Sequence, residues 1–234
     1  MVEKSLPKPA SSHSKIRRSL GRFLRKMHIE IPLAIPKQSA LDLYPKYVTC
    51  YDVVVEVGTL FGGGTIVLAN LAKHVYSFEP IKYNYNITRR NVKKFTNVEL
   101  FNIGLGSKRE QHEMKLYYNG SSTAYGLSSL REQKQTELQQ DVKIKKTERI
   151  NVDKLDNFHF KLKPTVLISD CEGWECEVLE GARETLESLR IIAIEVHDTS
   201  ECLNRFFKKY QGEFSIDYND PLSYPQWFIA RRKR

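Results

Sequence analysis

No stretch of this sequence reaches the roughly 18 consecutive apolar residues that a membrane-crossing helix needs. The opening segment, MVEKSLPKPASSHSKIRR, is polar and basic and lacks an apolar h-region, so no secretory signal is expected. Cysteine is scarce. The four present, Cys50, Cys171, Cys176 and Cys202, form no C-x-x-C pair and no His/Cys set at zinc-ligand spacing. They read as reduced thiols in a cytoplasmic protein. No internal repeat is visible, which argues against a solenoid.

What the chain does have is basic charge and enough apolar residues for a core. It carries a formal charge of +9 over 234 residues, with 41% hydrophobic and 11% aromatic residues. That is the composition of a folded globular protein, and the length suffices for one α/β domain with a short extension. The positive charge gathers at both ends: Lys15, Arg17, Arg18, Arg22, Arg25 and Lys26 near the start, and Arg231, Arg232, Lys233 and Arg234 at the finish. Such clusters are either solvated arms or sites for polyanions. Residues 15–27 space Ile16, Leu20, Phe23, Leu24 and Met27 as one face of a basic amphipathic helix. A Pro-broken linker follows, and residues 1–48 are expected to form an arm preceding a domain at 49–234.

From residue 51 apolar runs alternate with helical stretches. Strands are expected at 52–57, 74–78, 98–105, 113–118, 145–152, 165–170 and 191–196. Helices are expected at 63–73, at 80–95 with Pro80 in the first position, at 175–189 and at 200–210. Near-continuous apolar strands alternating with helices predict a mostly parallel, doubly wound sheet covered on both faces. Ligands bind such sheets beyond the carboxyl ends of the strands.

The glycine turn EVGTLFGGGTI (56–66) lies at one such end. No lysine follows its glycines, so it is not a nucleoside-triphosphate P-loop. Gly58, Gly62 and Gly64 fit the looser G-x-x-x-G-x-G of short-chain dehydrogenases, but no Tyr-x-x-x-Lys pair exists anywhere in the chain. Glu56, two residues before Gly58, is badly placed against a pyrophosphate and well placed for a cationic ligand. S-adenosylmethionine (SAM) is such a ligand, bearing an ammonium and a sulfonium. Glu79, closing the second strand about 20 residues on, suits ribose hydroxyls. Asn102 and Gly104 in NIGLGS suit an adenine ring. Asp170, Glu172 and Glu175 cluster where a strand becomes a helix. They could cap that helix or hold a metal, although no metal is assigned.

VVVEVGTLFGG, YSFEP, NIGLGS, SDCEGWECEVLEGA and IAIEVHD stand in the order and spacing of FkbM-type SAM-dependent methyltransferases. The resemblance covers about residues 52–198. It implies a Rossmann-like SAM-methyltransferase fold with an antiparallel C-terminal strand, SAM as cofactor, and O-methylation of a hydroxyl on a small molecule or glycan. Glu56, Gly58, Thr59, Gly62, Glu79, Pro80, Asn102, Gly104 and Asp170 are then the cofactor-binding residues. Asp170, Glu172 and His197 are candidate bases, and Ser129 and Glu195 face the substrate. The family often has lysine two residues before the aspartate of D-x-E-G, where this chain has Ile168. Alternatives are an RNA methyltransferase that uses the basic arm and tail on nucleic acid, an NAD(P)-dependent oxidoreductase, and a SAM binder without catalysis. Oligomeric state is not legible.

Overall fold

The computed structural model describes residues 38–118, 143–197, 200–218 and 227–233. The basic helix expected at 15–27, and Ser129, lie outside the described residues.

The elements alternate as expected. Helix α1 (Gln38–Tyr47) leads into strand β1 (Val53–Val57), helix α2 (Gly63–Leu71), β2 (His74–Phe78), α3 (Lys82–Val92) and β3 (Val98–Phe101). After β4 (Gly104–Leu105), β5 (Glu110–Tyr118) and β6 (Lys143–Asp153) come β7 (Val166–Ser169), α4 (Glu175–Glu180), β8 (Ile191–Glu195), α5 (Ser200–Lys208), β9 (Phe214–Tyr218) and β10 (Trp227–Arg232). Seven strands form the main sheet in the order β3-β2-β1-β7-β8-β10-β9. Strands β1, β2, β3, β7 and β8 run parallel, and β10 runs antiparallel to both β8 and β9.

The VVVEV run makes β1 buried along its whole length. The pleat sends alternate side chains to opposite faces. Val53, Val55 and Val57 join the core that includes Leu179, Leu203 and Phe207. Val54 joins the opposite core with Leu43, Tyr44, Leu68 and Ile168. Glu56 therefore falls on the Val54 face. The position where the family often has lysine, Ile168, is 2% exposed in this second core.

Several sequence expectations need correction. The single strand expected at 98–105 breaks after Phe101, and β4 joins a second sheet ordered β4-β6-β5. The helix expected at 175–189 stops at Glu180 and resumes as a 3-10 turn at Thr185–Ser188. Gly181 caps it, and must be glycine because its backbone abuts Gly106: a Cβ on Gly181 would lie 1.9 Å from the Gly106 carbonyl oxygen. Helix α3 begins at Lys82, so Pro80 precedes it rather than opening it. Leu43, Tyr44, Tyr47 and Val48 belong to the domain core, not to a separate arm. Cys176 and Cys202 form a disulfide joining α4 to α5, which corrects the reading of all four cysteines as reduced thiols; Cys50 and Cys171 are free. The pair is 26 residues apart in sequence, so no short-range motif signals it. Among the described residues no helix is long and apolar enough to cross a membrane.

The tail also differs from a free basic extension. Arg231 lies over the Tyr47 ring at 4.8 Å, and its Nη2 donates to the Tyr47 hydroxyl at 3.2 Å. Arg232 donates to the carbonyls of Leu189 (2.9 Å) and Leu186 (2.6 Å) and to Glu213 (2.7 Å). Two guanidiniums that could have tracked phosphates are committed to closing the sheet.

Candidate functional site

The parallel strands β1, β2, β7 and β8 end on one edge, and the predicted site residues collect there. The glycine turn comes first. Gly58 has φ 85° and Gly62 has φ 83°, a region that favours glycine, and Leu60 between them has φ 50°. At Gly58 the reason is close approach as well as conformation. Its Cβ would stand 2.0 Å from the carbonyl oxygen of Asp170, so the ends of β1 and β7 touch here. The Asp170 amide donates to the Val57 carbonyl at 3.0 Å, which fixes where the aspartate leaves the sheet. Gly62 caps α2, and a Cβ there would press on Thr88 at 3.0 Å. Thr59 is buried, with its hydroxyl 3.2 Å from that of Thr88.

Glu56 sits behind this turn and does not open onto it. It is 3% exposed. Its Oε2 accepts from the Thr65 hydroxyl at 2.7 Å and the Ser77 hydroxyl at 2.8 Å. Gly64 is glycine for the same reason: a Cβ would lie 2.7 Å from Glu56 Oε1 and 3.2 Å from the Tyr44 hydroxyl oxygen. Burial without a cationic partner pushes the Glu56 carboxyl up to about 7, against the pull of the two hydroxyls.

Glu79 ties the turn to β2. It is also 3% exposed. Its Oε2 accepts from the Leu60 amide at 2.9 Å, and its Oε1 from the Ile81 amide at 3.0 Å and the Asn84 side chain at 3.4 Å. Burial raises it to about 7 despite these donors. Asn102 fastens the loop from the other side, donating Nδ2 to the carbonyls of Glu79 (2.9 Å) and Pro80 (3.0 Å). Gly104 is buried, with its Cβ position 3.3 Å from Val152 and 3.5 Å from Pro80. These residues, expected to touch adenosine, build the wall around which the loops are wound.

The third group surrounds His197. Its Nδ1 lies 2.9 Å from Glu175 Oε1. Its Nε2 lies 3.7 Å from Asp170, 3.5 Å from Glu172 and 3.5 Å from Glu195. Four carboxylates around one imidazole determine its charge. Burial alone would disfavour the cation, but the hydrogen bonds to Glu175 and Glu195 and the charges of Glu172 and Asp170 hold its pKa at about 11. In the free chain the ring keeps its proton among these acids. Glu195, expected to face substrate, is 1% exposed and belongs to this buried set, whereas the Asp170 side chain is 36% exposed. Glu172 takes φ 54° and Gly173 φ 98°, so a left-handed turn swings the acids off β7 before α4 starts. Glu175, wholly buried, also accepts from the Gly173 amide at 3.0 Å, which closes that turn.

One residue in this region fell outside the sequence expectations, and a second has a partner they did not name. Tyr44 reaches in from α1. Burial raises its pKa well above the ordinary tyrosine value, followed by the charges of Glu56, Asp170 and Glu195. No sequence motif marks it, because it lies in a segment that reads as arm. Glu175 was visible as the third acid of D-x-E-G-x-E, but its helical position suggested a dipole charge and not a histidine partner.

A family model described as "Methyltransferase FkbM domain" matches residues 52–213. The chain belongs to the FkbM methyltransferase family. A comparison with curated proteins gives no match. Among solved structures, a methyltransferase FkbM from Methylobacillus flagellatus KT superposes with a TM-score of 0.54 at 16% identity, covering 78% of this chain but only 44% of that one. A candidate methyltransferase from Streptococcus mutans, solved in complex with SAH, gives 0.53 at 15% identity, covering 86% of this chain and 99% of that one. An rRNA methylase from Streptococcus thermophilus gives 0.52 at 15% identity, covering 86% and 100%. At these identities the likeness is one of fold.

Proposed function

We propose that this chain is a SAM-dependent O-methyltransferase acting on a hydroxyl of a small molecule or glycan. The observation that carries the reading is the set of carboxylates around His197, at the strand ends beside the left-handed glycine turn. The fit to SAM rests on chemistry seen in the structure. Three left-handed residues within five, Gly58, Leu60 and Gly62, bring bare backbone to the site edge. The acids beyond β7 and β8 supply negative potential for a cationic ligand. Gly58, Thr59 and Gly62 would line the cofactor, with Glu79, Pro80, Asn102 and Gly104 shaping its nucleoside end and Asp170 its cationic end. Glu56 acts from behind, by holding Thr65 and Ser77 so that the turn keeps its shape.

When bound, SAM supplies a methyl group on a positively charged sulfur. The chain must align an acceptor oxygen and remove its proton. Asp170 and Glu172 are the groups for the proton, since both are carboxylates facing the His197 ring and Asp170 is the more exposed of the two. His197 stands against both and orients them. The S. mutans structure with SAH supports this choice of ligand.

Calorimetry with SAM, followed by labelled-methyl transfer to fractionated cell extract with and without ribonuclease, tests the reading. Saturable SAM binding and ribonuclease-resistant label on small molecules or glycans are expected. Preference for NAD over SAM would overturn the methyltransferase mechanism, and ribonuclease-sensitive label would overturn the acceptor class.

A further inference from the structure

The carboxylate and imidazole groups beyond β7 and β8 do more than make an acidic patch. Asp170, Glu172 and His197 each place one ligand atom so that all three lie within 4.8 Å of one another. The separations from Nε2, 3.7 Å to Asp170 and 3.5 Å to Glu172, suit an ion at about 2.1 Å shared between the imidazole and either carboxylate. A second observation concerns the ring. Glu175, with 0% exposure, holds Nδ1 at 2.9 Å and so turns Nε2 toward Asp170, Glu172 and Glu195. A buried carboxylate on one imidazole nitrogen, with oxygen ligands around the other, is the arrangement by which proteins fix the tautomer and direction of a metal-ligating histidine.

We infer that Asp170, Glu172 and His197 form a binding site for a divalent transition-metal cation, with Glu175 as the positioning residue behind His197. This rests on the methyltransferase reading only for its use in catalysis, not for binding. One nitrogen with two carboxylate oxygens favours ions of the Mn2+, Fe2+ or Zn2+ type over Ca2+, which takes oxygen ligands. The ring binds such an ion in its neutral form, so the ion takes the place of the Nε2 proton. Each carboxylate gives one oxygen to the ion and keeps the other. Glu195, whose Oε1 stands 3.5 Å from Nε2, supplies further negative charge from the floor.

The test is Mn2+ titration of the full chain, followed by electron paramagnetic resonance of free Mn2+ and by calorimetry, with SAM titrated into the same samples. One saturable Mn2+ site is expected. Glu172→Gln and His197→Gln should each weaken Mn2+ binding at least tenfold. Glu175→Gln should weaken it about 10- to 100-fold, the range for groups that orient ligands. Melting curves of Glu172→Gln, whose side chain is 17% exposed, keep a loss of metal apart from a loss of fold. Absence of a saturable site in the wild-type chain, or equal Mn2+ affinity in folded Glu172→Gln, would overturn the inference. SAM binding without Mn2+ binding would sink the metal site alone; Mn2+ binding without SAM binding would uphold the site and sink the functional reading.

Discussion

Asp52 and Glu56 stand four positions apart on the first strand and its approach, each 3% exposed, and the chain treats them in opposite ways. Asp52, at the amino end, is given a cation. Arg190 Nε donates to it at 2.7 Å and Nη2 makes a second short contact, while Thr49 and Thr165 fill its other acceptor positions. Burial would raise its pKa, yet the hydrogen bonds from Arg190, Thr49 and Thr165 win and hold it below the ordinary aspartate value. Glu56, at the carboxyl end, is given only hydroxyls, and burial wins. The amino edge of the sheet is a closed structural network. The carboxyl edge holds Glu56 and Glu79, which burial pushes above the ordinary carboxylate range, the kind of shift that sites of chemistry use.

The largest effect should come from breaking the matched end. Arg190→Met leaves Asp52 buried without its cation and should cost about 3 kcal/mol, read from denaturant midpoints. SAM affinity per folded molecule should stay unchanged; a parallel loss would mean the two ends are not independent. Next comes Gly58→Ala. The added methyl meets the Asp170 carbonyl and the residue must hold a positive φ. A loss of about 1–3 kcal/mol is expected, together with weaker SAM binding, measured by thermal melts and calorimetry.

The pH response should differ in sign between the ends. Glu56 and Glu79 have folded values near 7 against an ordinary 4.5. Between those values the folded state keeps protons that the unfolded chain releases. Their contribution to stability is complete below pH 4.5 and falls as pH rises to about 7. Glu56→Gln should flatten part of that fall and stabilise the free protein at pH 8 by about 1–3 kcal/mol, with Tyr44, Thr65 and Ser77 still around it. Asp52 works the other way: its contribution is present above its ordinary value and lost as pH falls through its lowered one. A stability curve with no decline from pH 5 to 7 would contradict the Glu56 and Glu79 environments. The smallest effect belongs to Arg231→Ala, which removes a partly exposed cation–π contact with Tyr47 and should cost about 0.5–1 kcal/mol by thermal melt.

The sheet and the cluster of site residues were legible because their signals are local. Short β-branched apolar runs such as VVVEV and IIAIE read as buried strands, and each carries an acid at or next to its carboxyl end. The resemblance to FkbM methyltransferases rested on those ends, and the family match covers that span and runs on to residue 213. What was not legible depends on groups distant in sequence. Nothing near Gly181 announces that Gly106 will lie against it. Cys176 and Cys202 meet only because two helices share a face of the sheet. Sequence gives the place of Glu56 on the strand but not its face, and so it did not show the hydroxyls of Thr65 and Ser77 that the pleat sets against it. Ordinary pKa values suggested His197 as a base; the sequence did not reveal that four acids from three segments would surround it.

The disulfide makes the stretch from Cys176 to Cys202 a covalent ring, and His197 and Glu195 ride on it. A ring has a fixed contour. However far the surrounding loops fluctuate, His197 is kept on a tether anchored one residue from Glu175, its partner. A single backbone cut anywhere inside the ring would therefore leave both halves of the imidazole–carboxylate pair attached to one molecule.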